Sequence, residues 1–65
     1  MNVGEVWIHK KREEIQLKII KYLRNDQWRV IYINTYGEDG SPYDTINGEV
    51  IFKYFYLFSA GEKEA

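Results

Sequence analysis

The chain has no cysteine and one histidine in 65 residues. The first absence excludes disulfide bridges and thiolate metal sites. The second excludes a multi-histidine site within one chain. Long apolar runs are also missing. The longest, residues 50–58, is interrupted by Lys53 and falls well short of the ~18 residues that a membrane span needs. The first residues show no basic region followed by an apolar stretch, so no signal peptide is expected. The cytoplasm, of a bacterium or of an infected host cell, is the expected location. Neither sign of charge dominates. Nine Lys and Arg against ten Asp and Glu give a net charge of −1, without the overall basic balance usual in duplex DNA binders.

A chain of this length makes one domain, here residues 1–65, with an ordered core expected over about 3–58 and a polar, frayed tail at 59–65. Such a domain buries only roughly 60% of the surface its unfolded chain exposes. Without disulfides or metal, stability must come from dense packing or self-association. The composition suits both. Two Trp, six Tyr and three Phe make 17% of the residues aromatic, and each ring can bury on the order of 150–250 Å².

Patterning points to strands. Residues 3–8 are rich in β-branched and aromatic side chains, and 28–33 form the clearest strand, apolar on both faces and so suited to a central position. Residues 15–24 are ambiguous. Ile15, Leu17 and Ile19 alternate as a strand would, and the phase break at Ile19–Ile20 fits a bulge. Local propensity instead favours a helix. Asn25-Asp26 marks one turn, residues 37–42 another, and Asn47-Gly48 reads as a type I′ hairpin. Residues 49–58 read as one long strand, or as a short strand followed by a helical turn at 52–55. The expected fold is mainly β, a small half-open barrel of four to five antiparallel strands. The alternative is β-α-β-β with a helix over residues 12–24.

Residues 4–11, Gly-Glu-Val-Trp-Ile-His-Lys-Lys, resemble the opening Gly-x-Val-Trp-x-His-Lys-Lys of small uncharacterised phage and bacterial proteins. The remaining strands match more loosely over 3–58, with Trp28-Arg-Val-Ile-Tyr and the Phe52–Phe58 stretch in the places of the later strands. Where those proteins carry Thr-Gly after the two lysines, this chain has Arg12-Glu13-Glu14. The resemblance implies an SH3-like or Tudor-like small barrel and a phage or mobile-element origin. It implies no catalytic residues.

The aromatic surplus is the most informative functional feature. A 65-residue interior cannot hold Trp7, Trp28, Tyr32, Tyr36, Tyr43, Tyr54, Phe55 and Tyr56 together, and exposed aromatics concentrate at binding hot spots. The expected function is a non-enzymatic protein-interaction module, a phage-encoded inhibitor or adaptor acting on a host protein. Its expected contacts are Trp7, Tyr32, Tyr36, Tyr43, Tyr54 and Tyr56. The partner is another protein or a second copy of the chain. The alternative is a nucleic-acid-binding barrel that neutralises phosphates with Lys10, Lys11, Arg12, Arg24 and Arg29 and stacks bases on Trp7, Tyr22 and Tyr32. His9 reads as a turn residue, with a phosphate contact or pH sensor as its functional alternative. Glu38, Asp39 and Asp44 match no metal-binding loop pattern. Ser41, Thr45 and Ser59 have no base nearer than the distant His9. Neither an enzyme activity nor a cofactor is expected.

Overall fold

The computed structural model describes residues 1–35 and 40–60. Five strands form one antiparallel sheet: β1 (Val6–His9), β2 (Gln16–Arg24), β3 (Gln27–Tyr32), β4 (Tyr43–Asn47) and β5 (Phe55–Ser59). One short helix, α1 (Gly48–Tyr54), joins β4 to β5. The spatial order is β4-β3-β2-β1-β5, so β4 and β5 are the two edges of the sheet. The mainly β fold of four to five antiparallel strands is therefore observed.

The helix alternative over 12–24 is overturned. β2 pairs with β1 along its first half and with β3 along most of its length. Hydrogen bonding on both sides outweighs the helical preference of its Lys, Arg and Leu side chains, since propensity is a weak prior that tertiary context overrides. The expected bulge is present, as a register shift between Ile19 and Lys21. The turn between β2 and β3 takes two residues, Asn25 (φ 54°) and Asp26 (φ 61°). Consecutive left-handed residues are what a type I′ hairpin requires, and Asn and Asp tolerate them.

Trp7, Leu17, Ile19, Val30, Ile51 and Phe55 form the core, with Met1, Ile15, Trp28, Tyr32 and Ile46 packed around it. Glu5 is the one charged side chain buried among the described residues, and it accepts a hydrogen bond from Trp7 Nε1 at 3.1 Å. That contact satisfies the indole donor, which a buried tryptophan otherwise leaves unpaired at a cost.

The end of the chain differs from expectation. Asn47-Gly48 makes no hairpin. Asn47 is extended (φ −70°, ψ 138°), and its Oδ1 accepts from Glu49 N at 2.8 Å, which makes it the N-cap of α1. The helix precedes the last strand rather than following it. Seven residues are too few for a helix that stands alone, and α1 is held from both ends. At its start, Asp26 O accepts from Gly48 N at 2.7 Å and Asp26 Oδ2 from Glu49 N at 3.2 Å. At its end, Lys10 N donates to Tyr54 O at 2.9 Å and Lys10 Nζ to Lys53 O at 3.2 Å. The two turns at opposite ends of β2 thus grip the two ends of one helix.

Candidate partner-binding surface

Among the described residues, β5 is an edge strand that pairs only with β1. Phe55 points into the core, but Tyr56, Leu57 and Phe58 are 40%, 45% and 66% exposed. Leu57 lies opposite the buried Trp7, and Tyr56 lies opposite Ile8. The strand therefore shows apolar side chains on both of its faces. Phe52, on α1, adds to this surface: 58% exposed, it meets the edge of the Trp7 ring at a centroid distance of 5.3 Å. Tyr54 follows at the end of the helix, stacked on His9 at 6.5 Å and 13°, with Lys53 Nζ 5.5 Å from its ring centre. No charged residue lies within β5. Natural edge strands are usually guarded by a charge, a proline or a bulge; β5 has no charge or proline, and its register against β1 shifts between Val6 and Trp7, which leaves Phe58 as its extra residue.

The six expected contacts do not form one surface. Tyr54 and Tyr56 lie together at the α1–β5 edge. Tyr43 is exposed on β4, the opposite edge of the sheet. Tyr32 is half-buried, and its hydroxyl donates to Asp44 Oδ2 at 2.8 Å. Tyr36 lies outside the described residues, as do Glu38 and Asp39. Trp7 is corrected from contact to core: it is only 5% exposed, because β1 is flanked on both sides and its inward face is closed by α1. Phe52, Leu57 and Phe58 are the residues that the sequence reading left out. The signal for Leu57 and Phe58 is the uncharged run Phe55-Tyr-Leu-Phe58, which reads as core until its strand is known to be an edge.

The surplus itself is present. Of the ten aromatic residues described, Trp7 and Phe55 are buried, Trp28 and Tyr32 are half-buried, and six are exposed. Tyr22 and Trp28 meet across β2 and β3 at 4.8 Å.

The alternative set of five cations is likewise dispersed. Lys10, Lys11 and Arg12 lie in the β1–β2 turn, and Arg24 lies at the far end of β2, nine residues of strand away. Lys10 is engaged at the end of α1, and Arg12 pairs with Glu14 at 2.9 Å. The main-chain N–H of Glu14, and then the Arg12 side chain, hold the Glu14 carboxyl below its ordinary value. His9 Nδ1 accepts from Lys11 N at 3.1 Å and Arg12 N at 3.2 Å, so this nitrogen organises the turn. Trp7 in the core offers no stacking face.

Among the described residues no group of three His, Asp or Glu is placed to hold a metal ion, and no helix is long and apolar enough to cross a membrane. A shallow cleft of about 360 Å³ is lined by Tyr32, Ile33, Asn34, Thr35 and Pro42. No family model, no curated protein and no solved structure matches this chain.

Proposed function

We propose that this protein is a non-enzymatic interaction module that docks its α1–β5 edge on a partner protein. The carrying observation is the exposure of Tyr56, Leu57 and Phe58 on an uncharged edge strand. With Phe52 and Tyr54, each about half exposed, these side chains present on the order of 500 Å² of largely apolar surface. Patches of that size on small proteins are often functional. Docking combines two elements. The partner adds a strand along the free side of β5, where main-chain hydrogen bonds supply affinity. Tyr56, Leu57 and Phe58 then enter pockets beside that strand and supply selectivity. Occlusion of the partner's own site by this rigid edge would make the module an inhibitor, and a second partner elsewhere would make it an adaptor. The Gly-x-Val-Trp-x-His-Lys-Lys opening supports a phage or mobile-element origin. The meander, with β1 returning to β5 and a helix between the last two strands, supports the likeness to SH3-like barrels.

Leu57→Lys combined with Phe58→Lys tests the reading. Both side chains are exposed, so the pair is expected to leave the circular dichroism spectrum unchanged and to cost under about 1 kcal/mol of stability. Sedimentation velocity at micromolar concentration then addresses a second copy as partner. Binding to a captured partner addresses a heterologous one. In either case, loss of association in the double variant is the expected result. A folded double variant that associates as the parent does would show that docking lies elsewhere.

A further inference from the structure

The outer face of β2, β3 and β4 carries a feature independent of the β5 edge. Side chains alternate across a strand. Leu17 and Ile19 are buried, so Lys18 between them points outward. Trp28, Val30 and Tyr32 face the core, so Arg29 and Ile31 face out. The register sets Lys18 opposite Ile31, Ile31 opposite Tyr43, and Lys21 directly opposite Arg29. The Arg29 guanidinium lies 5.5 Å from the centre of the Tyr43 ring, on the same face. Lys18, Lys21, Arg29 and Tyr43 are all exposed. No carboxylate occupies the outward positions of these strands. Asp44, the acid on β4, sits opposite Val30 on the core side, where it accepts from Tyr32. The salt bridge of the described residues, Arg12–Glu14, is in the β1–β2 turn.

Like charges directly opposite each other destabilise a sheet. Lys21 and Arg29 form such a pair in a chain that has more acids than bases. Three cations segregated on one face, with an aromatic ring among them, form a local field that the net charge conceals. We propose that this face binds single-stranded nucleic acid, with Lys18, Lys21 and Arg29 on phosphates and the Arg29–Tyr43 stack as the platform for a base. Phosphates relieve the Lys21–Arg29 repulsion. Tyr43 decides between this ligand and an acidic polypeptide, because a nucleobase has a π-face to lay on the platform and a glutamate side chain has none.

Fluorescence anisotropy of a labelled oligothymidylate of about 16 nucleotides, titrated with the full chain, tests the assignment. Three phosphate contacts predict a salt slope near −2, so affinity falls about twenty-fold between roughly 50 and 200 mM salt. Lys21→Gln with Arg29→Gln lowers the slope to about −0.7. Tyr43→Ala weakens binding at least about five-fold with the slope unchanged. Lys21→Glu has a distinctive signature: it weakens binding yet raises the melting temperature, because it replaces a repulsive cross-strand pair with an attractive one. No binding at the lowest salt overturns the proposal. So does equal competition by polyglutamate with Tyr43→Ala silent, which marks an acidic-protein site instead. Binding abolished by Leu57→Lys with Phe58→Lys also overturns it, by placing the contact on β5.

Discussion

Ile51→Ala is expected to remove about half of the domain's stability. Ile51 is fully buried, and it is the side chain through which α1 enters the core beside Trp7, Leu17, Ile19, Val30 and Phe55. Truncating a buried isoleucine to alanine costs about 2–5 kcal/mol, part of it lost transfer energy and part the cavity left behind. At roughly 0.05–0.15 kcal/mol per residue, the whole domain has about 3–10 kcal/mol. The substitution therefore removes a large share of the total. Ile51→Val, which deletes one methyl group, is expected to cost about 0.5–1.5 kcal/mol and to remain folded. Urea denaturation followed by far-ultraviolet circular dichroism measures both. An alanine variant within about 1 kcal/mol of the parent would mean that the helix does not rest on the sheet as described.

The second large effect reverses an ordinary rule. Alanine is a better helix former than glycine by about 1 kcal/mol, yet Gly48→Ala at the first turn of α1 is expected to destabilise the protein. A Cβ on residue 48 would lie 2.4 Å from Asp26 Oδ1 and 2.9 Å from Asp26 Cγ. Asp26 cannot yield freely, because its carboxylate accepts from Glu49 N at 3.2 Å and from Trp28 Nε1 at 3.4 Å. Displacing it removes the second acceptor of Glu49 N, which Asn47 continues to cap, and frees the indole, for an expected loss of about 1–3 kcal/mol. A double-mutant cycle isolates the cause. Asp26→Gly keeps the left-handed backbone of the turn while removing the carboxylate. In that background Gly48→Ala should be neutral or stabilising. If the two losses simply add, the close approach of Asp26 to Gly48 is not what limits residue 48.

This grip of a turn on a distant helix also explains which parts of the fold could be read from the sequence. The bulge was visible as a broken alternation at Ile19–Ile20, and the β2–β3 turn as Asn25-Asp26. These are local signals, and local geometry answers them. Asn47-Gly48 is the opposite case. The same two letters serve a hairpin or a helix start, and the choice is made by Asp26, about twenty residues earlier, whose carbonyl and carboxylate receive the first N–H groups of α1. No window around residue 47 contains that information. Asn47 with Glu49 in the first turn and Lys53 in the last does fit a helix, but only against a strong competing strand pattern.

The candidate surface divides in the same way. Composition shows that aromatic rings exceed the interior, and six exposed rings bear this out. Which rings are exposed depends on strand order. Trp7 is buried because β1 lies between β2 and β5, whereas Phe58 is exposed because β5 is last in the sheet. Lys10 resembled a ligand contact in the sequence, yet it donates to the final carbonyls of α1, where a cation suits the negative end of the helix. The segregation of Lys18, Lys21 and Arg29 on one face likewise depends on the bulge, which returns Lys21 to the outer side opposite Arg29.

A photo-reactive phenylalanine analogue placed at position 58, with the same group at Thr45 on β4 as control, puts the docking claim to its most direct trial in cells that carry the protein. The account predicts one discrete covalent adduct from position 58, either to a second copy or to a single other protein, and none of that mass from position 45. Adducts to protein from position 45 alone, with position 58 unreactive, would contradict it, whereas a nucleic-acid adduct at position 45, opposite Arg29, belongs to the outer face.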